Sequence, residues 1–292
     1  MNLTKSSLGL YKKECIDRYI SGCSIRQTSP LLKDMMSILV KRDIEIPFFD
    51  LNVNNLCTLK CKRCDQGMPY LNKKCRYTAE DTIANMKKLL SFVDYIYQIG
   101  ILGGEPFINK DLAKVINWCA SCEKIGSIIV VTNGTIFPGE KVLKSLKNKK
   151  IILGISYYPI KDDSNRIKLM EYCERNGIHY HIRKDDWLDF GDFRISRNYN
   201  RQQMKKTFQN CFLNKCVQYN NGTLYRCTKT HLLKDQKIDK PGKWEVISVK
   251  DIKSKKEMKK SLKKFYSLKT LRACNYCNSG DDLVLIPLGE QL

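Results

Sequence analysis

From the stretch IPFFDLNV at residues 46–53 onward, short β-branched runs alternate with longer segments whose apolar residues recur at helical spacing. Strands read as 48–53, 95–101 (YIYQIGI), 127–131 (SIIVV), 150–155 (KIILGI) and 178–182 (IHYHI). Helices fit between them: 79–92, with Ile83, Met86, Leu89 and Leu90 on one face; 111–124; 139–147; and 164–176, closed by Gly177. Strand, crossover helix, strand is the grammar of a parallel sheet. The chain is therefore expected to fold as α/β, either a β/α barrel or an open parallel sheet.

The unusual residues all fall just past strand ends. A cysteine loop follows the first strand, GGEP (103–106) the second, TNGT (132–135) the third, SYYP (156–159) the fourth and KDDW (184–187) the fifth. A parallel fold brings such segments to one rim, so a single site is implied. Residues 1–45 read as an amphipathic helical lead-in, with Leu31, Leu32, Met35, Met36 and Leu39 at helical spacing. After about residue 200 the pattern changes. CVQYNNGTLYRC (216–227) reads as a hairpin turning at Asn221-Gly222, which sets Cys216 opposite Cys227. A Lys-rich helix with Ile252, Met258, Leu262 and Phe265 follows, then ACNYC. The expected division is a lead-in at 1–45, a core at 46–200 and a small second domain at 201–292.

Of the 292 residues, 42% are apolar, enough for a proper core, and no apolar run reaches membrane-spanning length. A cytosolic location is expected, with no membrane partner. Fourteen cysteines in a cytosolic chain point to metal binding rather than a disulfide framework. The formal charge of +22 favours anionic partners, although Lys-, Asn- and Ile-heavy usage gives the same excess. The run KSKKEMKKSLKKF has apolar residues at helical spacing, so it reads as a solvated helix face and not a nucleic-acid site.

NNLCTLKCKRCDQ (54–66) places Cys57, Cys61 and Cys64 within eight residues. Structural zinc wants four ligands, usually as two separated pairs. An iron–sulfur cube held by three thiolates keeps one iron open for a substrate or cofactor. In spacing and position, CTLKCKRC resembles the C-x3-C-x2-C motif of the radical SAM superfamily, and GGEP resembles that family's landmark after the next strand. The resemblance implies a partial (β/α)6 TIM-like barrel followed by a small β-hairpin-plus-helix iron–sulfur domain. It also implies a 4Fe-4S cluster on Cys57, Cys61 and Cys64, with S-adenosylmethionine (SAM) chelating the open iron and yielding a 5′-deoxyadenosyl radical on one-electron reduction. Gly103, Gly104, Glu105 and Pro106 would receive the methionine moiety, and Thr132, Asn133 and Ser156 its ribose or carboxylate. Arg63 stands where the family usually has an aromatic residue beside adenine; a guanidinium can stack there instead.

Cys216, Cys227, Cys274 and Cys277 form a hairpin pair plus a distant C-x2-C, and on spacing alone zinc and an iron–sulfur cluster are equal readings. After a radical SAM core they resemble the twitch form of the SPASM extension, implying one auxiliary 4Fe-4S cluster. Gly222 to Cys227 matches its G-x4-C signature. Cys211 competes with Cys216 for the first ligand position. Cys119 and Cys122 lie in an apolar-periodic helix and read as core; Cys15, Cys23, Cys75 and Cys173 are isolated. His179 and His181 alternate on one strand and share a face, where either could assist proton transfer or simply be a packed, hydrogen-bonded core histidine. Asp185 and Asp186 sit at the rim and could bind substrate hydroxyls, or be solvated loop carboxylates.

The N-terminal motifs resemble a radical SAM subgroup associated with glycan biosynthesis. This implies hydrogen abstraction from a sugar nucleotide or sugar phosphate, leading to oxidation or rearrangement, with a flavodoxin or ferredoxin-type electron donor. Two alternatives remain: maturation of a ribosomally made peptide, and a non-catalytic, zinc-stabilised RNA-binding protein.

Overall fold

The computed structural model describes residues 42–72, 74–184, 187–211, 213–214, 217–279 and 284–292. The expected N-terminal helices fall outside them. Five parallel strands form the core of the fold: β1 (Glu45–Asn52), β2 (Tyr95–Leu102), β3 (Ile125–Thr132), β4 (Ile151–Ser156) and β5 (Tyr180–Arg183). They are laid side by side in chain order and joined by α1 (Ala79–Leu90), α2 (Leu112–Ser121), α3 (Glu140–Leu146) and α4 (Ser164–Arg175). Every residue of β4 is buried, as is all of β2 except its last, which is why these strands read as nearly unbroken apolar runs. Local signals set the helix limits. The Thr78 side chain accepts from the Asp81 N–H, acidic Glu80 and Asp81 sit in the first turn of α1, and Lys87 and Lys88 in its last. Gly177, at φ +61°, takes the left-handed position just past α4.

The sheet continues past β1 on its other edge. β7 (Gln218–Asn220) pairs parallel with β1, supplying a sixth parallel strand, and then turns back through β8 (Thr223–Tyr225) and β9 (Val246–Ser248). The result is one eight-stranded, mostly parallel sheet in the order β5-β4-β3-β2-β1-β7-β8-β9, a mixed α/β architecture of the partial TIM-like kind. The hairpin turns where the sequence expects it, with Asn221 at φ 43° and Gly222 at φ 81°, the two left-handed residues of a type I′ turn. The sequence does not signal how the hairpin docks on β1.

Among the described residues three further α-helices follow: α5 (Arg201–Asn210), α6 (Thr228–Asp235) and α7 (Lys255–Tyr266). Neither α5 nor α6 stands out in the sequence. α5 starts on a capping box between Asn200 and Gln203. α7 is the expected Lys-rich helix: Met258, Leu262 and Phe265 join the main core beneath it. A separate ribbon pairs β6 (Trp187–Leu188) antiparallel with β10 (Leu285–Ile286). Among the described residues no helix is long and apolar enough to cross a membrane.

A second apolar cluster, with Met68, Phe193, Phe208, Leu232 and Leu271 among its members, sits apart from the main core. Cys57 and Cys64 pack against it from one side, Cys227 joins them, and Cys274 is part of it. The two cysteine groups thus share one apolar floor. Phe265 carries no exposed surface, so Phe265→Ala is expected to lower stability by about 3–5 kcal/mol, read as a shift of the urea midpoint without change of slope.

Candidate active site at the rim of the parallel strands

The loop after β1 and the turn after β2 touch backbone to backbone. A Cβ on Gly103 would overlap the Asn54 carbonyl oxygen, and one on Gly104 would overlap that of Leu56 and lie 2.8 Å from Cys57 Cβ. Only glycine permits this approach. The contact is stitched by hydrogen bonds: Glu105 N–H donates to Leu56 O (2.8 Å), Asn54 Nδ2 to Glu105 O (3.0 Å) and Leu56 N–H to Asn54 Oδ1 (2.8 Å). Pro106 begins a short 3-10 turn, where its missing N–H goes unneeded.

The Glu105 carboxylate is fully buried and turns toward the end of β3. It accepts from Thr132 Oγ1 (2.8 Å), the Asn133 N–H (2.8 Å) and the Phe107 N–H (3.0 Å). Burial nevertheless pushes its pKa up to about 7. Asn133 reaches back to the cysteine loop, donating to Thr58 Oγ1 (3.0 Å), with its amide 3.7 Å from Cys57 Sγ. Thr58 and Thr135 share a 2.6 Å hydrogen bond. Three strand ends are thereby joined around Cys57. Ser156, buried at the end of β4, is hydrogen-bonded to the Tyr158 hydroxyl, whose pKa burial raises to about 12 beside Cys61 and Cys64.

Burial dominates the thiols as well. It pushes Cys57 up to about 11 and Cys64 to about 12, with the neighbouring cysteines adding to both, and it raises Cys61. The second group behaves alike. Cys227 is raised well above its ordinary value by burial and then by its neighbours Cys211, Cys277 and Cys274; burial lifts Cys274 to about 12. The described thiol beside Cys227, Cys274 and Cys277 is therefore Cys211, itself raised by burial, whereas Cys216 lies outside the described residues. Among the described residues no three His, Cys, Asp or Glu side chains are grouped as a single metal ion would need.

Beside the second cysteine group lies a cavity of about 600 Å³. Cys211, Cys227 and Cys277 line it, as do Asp65 and Gln66, which directly follow Cys64. Its other polar wall comes from the strands: Asp50 (β1), Gln98 (β2), and His181 and Arg183 (β5). Glycines make room for them. A Cβ on Gly100 would overlap the Asp50 carboxylate, and one on Gly154 would lie 3.2 Å from the His181 ring. The His181 Nδ1 is buried without a hydrogen-bond partner, and burial lowers the ring's pKa. His179 does not line the cavity; it precedes β5, where its carbonyl accepts the Leu153 N–H (2.8 Å), and burial lowers its pKa too. Arg63 lies at the rim with Nε 3.6 Å from Asp189 Oδ1, and Asp185 and Asp186 fall outside the described residues. Cys119 and Cys173 are buried in the main core, and Cys122 packs against it.

Sequence reading passes over Asp50, Gln98 and Arg183. The available signal is a polar residue inside an otherwise apolar strand, as in FFDLN and YIYQIGI.

No protein-family model matches the chain. GTP 3′,8-cyclase of Stenotrophomonas maltophilia (strain R551-3) is 27% identical over 92 residues, 32% of this chain and 28% of that protein. GTP 3′,8-cyclase of Clostridium acetobutylicum is 26% identical over 126 residues, 42% of this chain and 38% of that protein. The matched stretch thus spans about a third of the length of these curated relatives. The crystal structure of BtrN in complex with AdoMet and 2-DOIA superposes with a TM-score of 0.51 at 16% identity, covering 81% of this chain and 94% of that one, and shows a common fold. The comparisons support a place in the radical SAM superfamily.

The donor set fits the cluster that a radical SAM protein carries. Three thiols on one short loop, kept protonated by burial in the metal-free chain, are groups that iron would deprotonate, removing the mismatch. The glycine turn leaves a backbone surface, with no side chain in the way, directly against that loop.

Replacing Glu105 with Ala strands the Thr132 hydroxyl and two backbone N–H groups, so a loss of about 1–3 kcal/mol is expected on chemical denaturation. Because the folded carboxyl holds its proton up to about pH 7 against an ordinary value of 4.5, the native state binds more protons within that window. Stability of the metal-free chain should therefore fall as pH rises from about 4.5 to 7, and Glu105→Gln should flatten that slope in thermal melts.

Proposed function

We propose that the chain is a radical SAM enzyme acting on an anionic, hydroxyl-rich small molecule of the sugar-nucleotide or sugar-phosphate class. The observation that carries this reading is the cysteine loop locked to the GGEP turn, with Asp65 and Gln66 just past Cys64 lining a cavity that Cys211, Cys227 and Cys277 also line. Cys57, Cys61 and Cys64 would hold the four-iron cluster, which with bound SAM supplies a 5′-deoxyadenosyl radical for hydrogen abstraction. Gly103 and Gly104 would let the methionine part of SAM lie against backbone, its ammonium group meeting carbonyls, since the Glu105 carboxylate is already engaged by three donors. Thr132 and Asn133 hold that arrangement, with Ser156 and Arg63 at the neighbouring strand ends.

The cavity's size lies within the range of small-molecule sites. Arg183 offers a guanidinium for a phosphate or carboxylate, and Asp50, Gln98 and His181 offer acceptors and donors for hydroxyls. A deprotonated His181 at neutral pH, in keeping with its lowered pKa, can accept a hydroxyl proton. The curated relatives are by name cyclases of GTP, itself an anionic ribose-containing molecule. Cys211, Cys227, Cys274 and Cys277 would hold an auxiliary cluster on the cavity wall, placed to take an electron from substrate in a two-electron oxidation of a hydroxyl-bearing carbon. An acidic flavodoxin or ferredoxin would suit the basic exterior as electron donor.

Two measurements test this. Anaerobically reconstituted protein given SAM and dithionite is expected to release 5′-deoxyadenosine, and the triple Cys57, Cys61 and Cys64 to alanine variant none. A fully iron-loaded wild-type chain that neither binds nor cleaves SAM, alone or with sugar nucleotides, would remove the reading. For the auxiliary site, Cys211→Ser is expected to lower iron from about eight to about four per chain while Cys216→Ser leaves it near eight; the reverse pattern would transfer the ligand role to Cys216.

A further inference from the structure

The segment 284–292 crosses the site as a strap. It leaves the β6–β10 ribbon, where the Asp189 N–H donates to Val284 O (2.9 Å), and runs over Tyr158, against whose ring Gly289 packs. Gly289 has φ +62°, and a Cβ there would lie 3.0 Å from that ring. The strap then pairs with the cysteine loop. Lys62 N–H donates to Glu290 O (2.7 Å), Leu292 N–H to Lys60 O (2.9 Å), and Cys61 and Gln291 form an antiparallel bridge. Lys62 Nζ and Glu290 Oε1 add an ion pair at 3.0 Å.

Within this pairing the Gln291 amide has one orientation that satisfies all its neighbours. Oε1 accepts the Lys60 N–H (2.8 Å), while Nε2 donates to Gly289 O (2.5 Å) and to Cys61 Sγ (3.3 Å). A flipped amide would set NH₂ against N–H. The other two sulfurs take donors closer in sequence: Leu59 N–H and the Asn133 amide for Cys57, and the Met68 backbone for Cys64. Cys61 takes its side-chain donor from a residue 230 positions away.

We propose that Gln291 is a positioning residue whose N–H···S bond to Cys61 raises the reduction potential of the SAM-binding cluster. The proposal rests on the radical SAM reading. Reducing the cluster adds negative charge, part of which falls on the ligating sulfurs, so a donor on one of them favours the reduced form. The strap thereby ties ease of reduction to closure of the rim.

The test is an anaerobic redox titration of the reconstituted full-length protein, followed by electron paramagnetic resonance, on the reduced-cluster signal that changes when SAM is added. Gln291 is exposed, so substitution opens no core. Gln291→Leu deletes all three amide contacts, and Gln291→Glu keeps the acceptor for Lys60 but removes the sulfur donor. Both midpoints are expected to move to more negative potential, Gln291→Glu the further because it adds a charge. An unchanged midpoint in Gln291→Leu with its SAM-responsive signal intact overturns the proposal alone. If Gln291→Leu does not assemble the cluster, Gln291→Glu decides by the same criterion. Absence of any SAM-responsive cluster signal in the wild-type chain overturns both this proposal and the reading beneath it.

Discussion

The site depends on a close approach of two backbones that should, on ordinary sterics, stand farther apart. Gly103 and Gly104 bring the turn after β2 against the Asn54 and Leu56 carbonyls, and every other feature of the rim is arranged around that contact. The parallel pairing of β1 and β2 runs through to Asn52 and Leu102, so the two strand ends arrive level. Asn54 and Glu105 then exchange side-chain and backbone hydrogen bonds across the junction, and the Glu105 carboxylate carries the tie on to β3. A cysteine-bearing loop is normally the mobile part of a fold. Here its first thiol is fixed by groups from three strands before any ligand arrives.

That burial holds the thiols of the metal-free chain in their neutral form. Buried thiols near one another, and a buried carboxylate beside them, are groups whose charged forms burial opposes. Raised values in both cysteine groups make this a property of the whole apolar floor that Cys57, Cys64, Cys227 and Cys274 share. Soft thiolate donors in a dry surround suit iron–sulfur clusters, because polarity and solvent access around the sulfurs set cluster potential. On the proposed reading, the same burial that keeps the empty thiols neutral would keep water from the chemistry.

The fold was legible where period and propensity agree. All five core strands and the four crossover helices stand within about three residues of their sequence-based limits, because buried parallel strands are apolar runs and each helix carries capping or stop signals such as Thr78 and Gly177. The hairpin was legible from Asn221-Gly222, but its parallel docking on β1 was not, since edge pairing leaves no local trace in three residues. Short α6 and exposed α5 lack a strong apolar stripe. In the site, spacing revealed the cysteines and strand-end logic revealed GGEP and TNGT. Side-chain direction was not legible: Glu105 turns into the protein, and His181 faces the cavity whereas His179 does not. Nor was the strap, whose contacts join residues more than two hundred positions apart.

Sequence distance also explains how the site is closed. The rim supplied by β1 to β4 is tied from strand end to strand end through Asn54, Glu105 and Asn133, and those ties fix Cys57, while Cys61 is also held by the strap. The opposite wall of the cavity comes from Cys211 and Leu213, from α6 through Thr228 and Lys229, and from Cys277. Lys229 is held by the carbonyls of Phe190, Gly191 and Tyr276, so a single buried ammonium ties two separate segments to α6 behind the cavity. Loop-closure entropy makes such long-range contacts the last to form and the first to yield. By the same reasoning the ties between strand ends should outlast the strap, which reaches across 230 positions and also pins the cysteine loop. A chemistry that must admit substrate and then exclude water needs that asymmetry.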